Sequence, residues 1–390
     1  MDGLFHCDRR GFLKAGGFAG AGLLLGRPAV WADEAAPAEP ATNIDKALAA
    51  PRTAHSLPGA QPGRVVEVHE PAAIAAGLVD AAAVGIMFRR GLRSLFGTDE
   101  GAAFKRLFAA DDVVGIKVNP VGAGLISTHL ELADAVIAWL TENGLPRANI
   151  VIWDRFDIML AEAGFTAERF PGVGIEGLQT MDEAAFEDGA DQSGWLKDGR
   201  HVSAGNFDDE VLYWAEAPAP TDLNYLHQHV VSDLRSPFGR LVTQRLTKII
   251  NLAVFKNTGN GISMATKNLG YGAICNTGRL HQPLFFKVCT EVLAFPCLRD
   301  KLVLNVNEGL VGQYDGGPMP NAAFTWDYQR LFLATDPFAL DRVCHDLMVA
   351  KRKAMGVAVN EHPRYTDYLR YAETLGLGIA DPARIEHLQA

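Results

Sequence analysis

Short apolar runs alternate with longer amphipathic stretches through most of the chain after residue 63. The apolar runs predict strands at Val65–Val68, Val113–Asn119, Asn149–Asp154, Val173–Leu178, Lys248–Asn257, Lys301–Glu308 and Leu331–Asp336. The helical repeat of apolar residues predicts helices at Ala72–Phe88, Thr128–Asn143, Ser263–Tyr271, Leu284–Phe295, Pro337–Lys353 and Tyr365–Leu375. Strands that alternate with helices are typical of an α/β fold, so we expect a mixed, largely parallel sheet flanked by helices.

Residues 186–240 interrupt this alternation. They combine Gly, Asp, Ser and Pro with scattered aromatic residues and show weak periodicity. Unstructured stretches of that length are uncommon in compact domains unless they are functional. We therefore expect an irregular insertion over the core of an α/β domain that spans residues 63–390, as one large unit or two lobes. Residues 33–62 are rich in Ala, Pro, Glu and Asp and predict a flexible leader before that domain.

The first 32 residues have the order of a targeting segment. Arg9 and Arg10 precede Gly-Phe-Leu-Lys, a weakly apolar stretch runs from Ala15 to Leu25, and small residues follow in Val30-Trp31-Ala32. Residues 1–32 therefore predict a twin-arginine signal peptide, with the twin-arginine translocase as partner during export of the folded chain and the periplasm as destination. The apolar stretch is about half of the ~20 residues that span a bilayer. No later segment is long enough either, so we expect no stable membrane insertion.

The charge of the chain makes nucleic acid an unsuitable partner. The 390 residues carry a formal net charge of −10. Because the signal segment holds four basic and two acidic residues, the mature chain is near −12. An acidic surface repels the phosphate backbone of nucleic acids.

The cysteines have no spacing that predicts an iron–sulfur cluster or a zinc ribbon. Cys275, Cys289, Cys297 and Cys344 follow the signal segment without any C-x-x-C pair. His227-Gln228-His229 places two imidazoles on one face of an extended segment, but the spacing fixes no third ligand, so we predict no metal site. Export in the folded state is compatible with a cofactor loaded in the cytoplasm, and the sequence identifies none.

Five predicted strands end in polar residues of catalytic type. These residues are Asn119, Asp154, Lys256 with Asn257, Glu308, and Asp336. Ligands bind outside the carboxyl ends of the strands in open α/β sheets, so we expect these ends to build one polar pocket. Asp154, Glu308 and Asp336 are its candidate catalytic residues. The alternative for Asp336 is a helix N-cap, because Pro337 fits the first helical position.

Three lysines near these strand ends predict an anion site in an otherwise acidic chain. The candidate binding residues are Lys117, Asn119, Lys256, Asn257, Lys267 and Asn268. A lysine among apolar strand residues, such as Lys117, is costly unless its ammonium group meets an anion, either a ligand or a core carboxylate. Lys256 leaves a strand into a glycine-rich turn, and Lys267 follows on the next helix, whose first-turn amides are further candidate donors to a carboxylate or phosphate. The alternative for Lys267 is plain solvent exposure.

The same motifs resemble the family known as domain of unknown function 362. The likeness lies in Val114–Asn119, in Lys256 with Gly261–Gly270, in Glu308–Pro318 and, most specifically, in Ala334–Asp341. Two positions depart from the family pattern: Thr258 stands where the family often has His, and Glu308 where it commonly has Asp. We expect none of the ferredoxin-like cluster domain that some members carry. The resemblance implies a fold and a set of motifs, but it names no reaction and no substrate.

Three functions fit these observations. The first is an enzyme that acts on a small anionic substrate at the carboxyl-terminal edge of the sheet, which we take as the working interpretation. The second is a non-catalytic periplasmic binding or accessory protein. The third is a metal or redox protein that uses His and Cys.

Overall fold

The computed structural model describes residues 39–180, 194, 196, 199–226 and 228–390. The predicted signal segment, residues 1–32, lies outside the described residues. The helices are α1 (Ile44–Ala49), α2 (Ala81–Phe96), α3 (Glu100–Leu107), α4 (Leu130–Glu142), α5 (Asp157–Glu162), α6 (Leu223–Leu226), α7 (Ala265–Gly270), α8 (Lys287–Leu293), α9 (Pro296–Arg299), α10 (Pro337–Ala354) and α11 (Asp367–Thr374). The strands are β1 (Arg64–His69), β2 (Ile74–Ala75), β3 (Leu78–Val79), β4 (Val114–Lys117), β5 (Ile150–Phe156), β6 (Gly174–Gln179), β7 (Phe207–Trp214), β8 (Arg235–Gly239), β9 (Lys248–Thr258), β10 (Gly261–Ile262), β11 (Leu302–Gln313), β12 (Thr325–Ala334) and β13 (Glu386–Gln389).

Nine of these strands form one sheet. Its path is β13-β1-β12-β11-β9-β4-β5-β6, and β10 pairs with the end of β9. Neighbours are parallel from β11 through β9, β4 and β5 to β6, and between β1 and β13. β12 is antiparallel to both of its neighbours, and β10 is antiparallel to β9. The predicted mixed, largely parallel α/β sheet is therefore confirmed.

Apolar side chains cover both faces of this sheet. Ile250 belongs to a core cluster that includes residues of α2 and α4, whereas its neighbour Ile249 belongs to a second cluster with residues of α7 and α8. Successive side chains of a strand point to opposite faces, so a strand buried on both sides is apolar at nearly every position. This explains the continuous apolar runs in the sequence. None of the helices in the described ranges is long and apolar enough to cross a membrane.

The first predicted helix, Ala72–Phe88, is wrong over its first half. The short strands β2 and β3 occupy that part of the chain, and Ala76 and Gly77 make the turn between them with φ of 52° and 76°. Such left-handed conformations are incompatible with a continuing helix. Helix α2 begins after Asp80, whose side chain accepts from the amide of Ala83 at 2.8 Å and so caps it.

Residues 39–62 pack against the domain, which corrects the predicted flexible leader over that range. Thr42 forms an antiparallel bridge with Ala215, beside β7. Arg299, whose exposed fraction is 1%, donates to the carbonyl oxygens of Ala47, Ala50 and Pro51. A buried guanidinium group needs acceptors, and this backbone supplies them. Composition alone cannot show that a distant buried arginine holds the segment in place.

The described part of the predicted insertion, residues 199–226 and 228–240, contains a second small sheet. β7 and β8 pair as antiparallel strands from Phe207 opposite Gly239 to Trp214 opposite Arg235. The ladder shifts register between its two ends. Buried aromatic side chains of both strands join the core cluster on the α7 and α8 face of the large sheet. The insertion therefore covers that face of the sheet.

Candidate functional site

Lys117 ends β4 in a network of buried polar side chains. Its ammonium group donates to Asp154 Oδ1 at 2.5 Å, to Asn268 Oδ1 at 3.0 Å and to the carbonyl oxygen of Val118 at 2.8 Å. β4 and β5 are parallel neighbours with Lys117 opposite Trp153, which places the lysine beside Asp154. The core-carboxylate alternative for Lys117 is therefore the one that the structure has, and the pair offsets the desolvation of both charges.

Lys256 has a different environment, although it is equally buried at 1% exposure. It donates to Asn119 Oδ1 at 2.9 Å and to the carbonyl oxygens of Val121 at 3.0 Å and Ile126 at 3.4 Å. These three acceptors are neutral and occupy all three N–H groups of the ammonium. Asn119 also donates to Asn268 Oδ1 at 3.1 Å, so one amide connects the surroundings of Lys256 to those of Lys117.

Lys267 lies on α7 and is partly exposed. Its Nζ lies 5.9 Å from the ring centroid of Tyr271, which follows α7. Within the part of the chain that the structure describes, this ammonium group has no hydrogen-bond or ion-pair partner. Lys267 is therefore the lysine with free donors for a ligand.

Two first-turn amides of α7 are already occupied, which corrects the expectation that these two help to hold an anion. Asp341 on α10 is fully buried and accepts from the amides of Ala265 at 3.0 Å and Thr266 at 2.9 Å. The hydroxyl of Thr266 also donates to Asp341, at 2.6 Å. Asp341, which is distant in the sequence, thus caps α7 from the side. No local sequence pattern predicts this contact.

The three lysines form a cluster that holds more positive than negative charge. We use the name lysine cluster for Lys117, Lys256 and Lys267. Burial and the charge of Lys267 lower the pKa of Lys256 to about 7; Asp154 acts in the opposite direction, and Lys117 adds to the decrease. Burial lowers the pKa of Lys117, against the charge of Asp154, and burial also lowers the pKa of Lys267. Among the described residues, Asp154 is the one carboxylate that forms an ion pair with the cluster.

Glu308 forms a second buried polar pair, with His129. Glu308 is fully buried in β11, and its carboxylate accepts from the backbone amide of His129 at 3.0 Å and contacts Nδ1 of the same residue. The side chain of His129 is 23% exposed. Burial acts to lower the pKa of His129, but the charge and hydrogen bond of Glu308 outweigh it, with a smaller contribution from Glu131, and the pKa is raised. Glu308 also lies next to the start of α4, where a negative charge is favoured by the helix dipole.

Glu308 and Lys256 lie close together on the sheet. Glu308 is opposite Val254 of β9 in the parallel register, and Lys256 follows two residues later on the same face. The loop from Asn119 to His129 covers this edge, because Lys256 donates to its carbonyl oxygens. Hydrogen bonds through Lys117 and Asn268 link Asn119, Asp154 and Lys256, whereas Glu308 lies nearby on the same face of the sheet without a recorded contact to them.

Asp336 lies away from this group. β12 is antiparallel to β11, so its carboxyl end meets the opposite edge of the sheet. The carboxylate of Asp336 is fully buried and accepts from four backbone amides, those of Gly63, Phe338, Ala339 and Ile379. The expectation of a shared pocket is wrong for Asp336, and the N-cap alternative is the one that the structure has.

Asn257 holds two glycine-rich turns together. Its side chain donates to the carbonyl oxygen of Gly259 at 3.0 Å and accepts from the amide of Gly317 at 2.9 Å. A Cβ at Gly317 would lie 2.1 Å from the backbone oxygen of Asn257, so only glycine fits there. Asn257 thus shapes the edge of the site, and its side chain is engaged within the protein.

His281 and Tyr271 stand beside Lys267. Their rings are tilted by 37° to each other, with centroids 4.3 Å apart. His281 is exposed to solvent, yet burial among protein groups lowers its pKa to about 4, with the charges of Lys267 and Arg155 adding to the decrease. We use the name recess for the surface that Lys267, Tyr271 and His281 form beside the lysine cluster.

Arg155 adds a further buried cation next to Asp154 in β5. Its guanidinium donates to Thr277 Oγ1 at 2.5 Å, to the carbonyl oxygen of Gln228 at 2.8 Å and to His229 Nδ1 at 2.6 Å. The excess of positive charge around the lysine cluster is therefore larger than the lysines alone give. His227, the neighbour of Gln228 in the weak metal pattern, lies outside the described residues.

The sequence patterns pointed to none of His129, Arg155 and His281, and they did not predict that Asp341 caps α7. Arg155 had a signal, because a charged residue follows Asp154 inside an otherwise apolar strand. The three others lie in helices or turns with ordinary polar composition. Their contacts with Glu308, Lys267 and α7 arise only when distant segments pack together.

The comparisons with known proteins concern the part of the site that lies within residues 235–346. No curated protein and no solved structure matches the chain significantly. The family model described as "Domain of unknown function (DUF362)" matches residues 235–346, a range that includes Lys256, Lys267 and Glu308 but neither Lys117 nor Asp154. Over residues 235–346, the chain is therefore similar to the family that its sequence motifs resemble.

Proposed function

We propose that the chain is an exported enzyme that binds a small anionic substrate at the lysine cluster. The observation that carries this proposal is the imbalance of charge: among the described residues, Lys117 is the one member of the lysine cluster that forms an ion pair with a carboxylate. Excess charge of one sign in a low-dielectric region is costly until an opposite charge arrives. A bound anion supplies that charge.

The three lysines contribute in different ways. Lys117 and Lys256 have every N–H group engaged by protein acceptors, so they supply positive potential rather than direct contacts. Lys267 has free donors at the recess and contacts the anion directly. Carboxylates and phosphates of small molecules are the ligands that such a site accepts.

The pair of Glu308 and His129 supports an enzyme rather than a simple binding protein. A buried carboxylate that holds one imidazole nitrogen fixes the orientation of the ring, and the other nitrogen is left for proton transfer. The side chain of His129 is partly exposed, and Glu308 lies opposite Val254, two residues before Lys256 on β9. In this proposal His129 is the acid–base residue, and Glu308, which sequence reasoning selected as catalytic, orients it.

A non-catalytic binding protein is the second candidate, and one observation favours it. Two of the three carboxylates expected to be catalytic have structural contacts: Asp154 with Lys117, and Asp336 with four backbone amides. An engaged carboxylate is a poor base. The two candidates share the anion site and differ only in whether the bound molecule is changed.

One experiment separates these outcomes. The mature protein is purified from the periplasm of its native host, and native mass spectrometry measures any bound small molecule, which is then identified after denaturation. The proposal predicts a stoichiometric anionic molecule, or its product, and conversion when fresh molecule is added. An unchanged ligand supports the binding protein. A protein that carries no small anion, and whose melting temperature no small carboxylate or phosphate raises, contradicts both.

Export by the twin-arginine pathway is a separate part of the proposal and rests on Arg9 and Arg10. Replacing both with lysine should keep the precursor in the cytoplasm, which fractionation and immunoblotting measure. Replacing Arg27, which lies after the apolar stretch, is the matched control and should leave delivery unchanged. Equal periplasmic amounts of the double variant and the wild type would contradict this pathway.

A further inference from the structure

His281 follows a short helical turn, and its ring forms part of the wall of the recess. The ring lies against that of Tyr271 at a tilt of 37°, and the tyrosine hydroxyl donates to the carbonyl oxygen of Phe285 at 2.7 Å. Since the tyrosine is held at both its ring and its hydroxyl, it gives the imidazole a fixed support. The position of His281 in the recess is therefore set by the protein.

The hydrogen bonding of His281 fixes which ring nitrogen carries the proton. Nδ1 lies 3.1 Å from the carbonyl oxygen of Thr277. A carbonyl oxygen only accepts, so Nδ1 is the donor and Nε2 of the neutral ring is an acceptor. Among the described residues, none forms a hydrogen bond with Nε2. The exposed ring thus presents a bare acceptor to the recess.

The free donor of Lys267 lies near this acceptor. Nζ is 5.9 Å from the centroid of Tyr271, and the centroids of Tyr271 and His281 are 4.3 Å apart, so Nζ is within about 10 Å of the imidazole centroid. A tetrahedral oxyanion that hydrogen-bonds two groups spans about 7–8 Å between them. The distance limit is larger than this span, and the flexible stem of Lys267 makes up the difference when one small anion contacts both residues.

We propose that His281 accepts a hydrogen bond from a protonated oxygen of the anion that Lys267 holds. The ligand is then an anion that also carries a hydroxyl donor, such as a monohydrogen phosphate group or a hydroxy acid. This inference rests on the proposed anion site and assigns the recognition of the ligand's proton within it. Lys267 recognises negative charge, and His281 recognises the proton.

The electrostatic surroundings keep His281 suited to this role. Lys267 and Arg155 are the charged groups that act on it, and both oppose a second positive charge on the ring. The imidazole is therefore neutral at physiological pH and does not compete with Lys267 for the anion. A protonated ring would donate from Nε2 and would no longer distinguish an anion that carries an O–H group from one that does not.

Two inorganic ions make a matched pair of probes. At pH 8, hydrogen phosphate and sulfate are both doubly charged tetrahedral oxyanions, and only phosphate carries an O–H group. A neutral hydrogen bond that one ligand makes and the other cannot changes affinity by about 3–10-fold. Calorimetric titration of the full mature protein should show tighter binding of phosphate than of sulfate by this factor.

Variants assign the preference to its residue. His281→Phe keeps a ring against Tyr271 and removes the acceptor, so phosphate affinity should fall to the sulfate level while sulfate affinity stays the same. Lys267→Met should weaken both ions equally. Circular dichroism and the melting temperature check that each variant is folded. As a second readout, the ¹⁵N shifts of His281 should report a protonated Nδ1 and a bare Nε2 in the free wild-type protein.

The outcomes are distinguishable. If neither ion depends on Lys267, the proposed function fails and this inference fails with it. If both ions depend on Lys267 but phosphate has no advantage, or keeps its advantage in His281→Phe, the anion site stands and only the role of His281 is overturned. A protonated Nε2 in the free protein would overturn the role of His281 as well.

Discussion

Replacing Lys256 with methionine removes a buried ammonium group whose hydrogen-bond partners in the described structure are all neutral. Methionine keeps a similar length and apolar stem but carries no charge. The variant leaves three acceptors without their donor, which lowers the free energy of unfolding by an amount that does not depend on pH. It also removes a titrating charge, and this effect does depend on pH.

The pKa of Lys256 determines the sign and the size of the pH effect. The ordinary value is 10.5, and burial and Lys267 lower the value in the folded protein to about 7. Between pH 7 and 10.5 the unfolded state binds more protons than the folded state, so the contribution of Lys256 to the free energy of unfolding increases with pH. The slope reaches about 1.4 kcal/mol per pH unit, and the whole window corresponds to about 5 kcal/mol.

Urea unfolding of wild type and Lys256→Met across this window measures the effect. Between pH 7 and about 9.5, the wild type should gain about 3 kcal/mol in the free energy of unfolding relative to the variant. Lys353→Met is the matched control, because Lys353 is an exposed lysine paired with Glu361, and its curve should run parallel to the wild type. Parallel curves for wild type and Lys256→Met would refute the view that Lys256 is a strained, enclosed cation.

Further predictions concern the other parts of the site. Asp341→Asn should lower the free energy of unfolding, measured in urea, by about 2–4 kcal/mol, because one oxygen that caps α7 becomes a donor. The control Asp346→Asn, on the exposed side of the same helix, should lower it by less than about 1 kcal/mol. Equal losses in the two variants would contradict the capping role. Glu308→Gln should lower the pKa of His129 in an NMR titration, since burial remains while the opposing charge is gone, and an unchanged pKa would show that the pair is not coupled. Gly317→Ala should lower the melting temperature because the new Cβ meets a backbone oxygen at 2.1 Å, and an unchanged value would mean that the turn adapts at no cost.

The sheet was predictable because its signal is local and repeated. A strand buried on both faces needs apolar residues at every position, as in β4 and β9, and this pattern is visible without any knowledge of neighbouring strands. Polar residues at the ends of parallel strands then converge by geometry, which is why Asn119, Asp154 and Lys256 meet. Glu308 joins them although it lies inside β11, which continues to Gln313.

Strand direction and distant contacts were not predictable in this way. A strand has the same apolar pattern whether it is parallel or antiparallel, so the sequence did not show that β12 places Asp336 at the other edge. The partner of Lys117 could not be predicted either. A buried lysine needs a negative charge beside it, and the sequence does not show whether a core carboxylate or a bound ligand supplies that charge. The roles of Asp341 and His281 depend on segments far apart in the chain, and no periodicity encodes them.

The central claim is that the lysine cluster holds a small anion and that Lys267 contacts it. Calorimetric titration of inorganic phosphate at pH 7 into wild type, Lys267→Met and the control Lys353→Met tests this claim most directly. Loss of a hydrogen bond to a charged group should weaken binding by about 10–100-fold in Lys267→Met, with an unchanged melting temperature, while Lys353→Met binds as the wild type does. Equal affinity in all three proteins, or no binding by the wild type, would contradict the account.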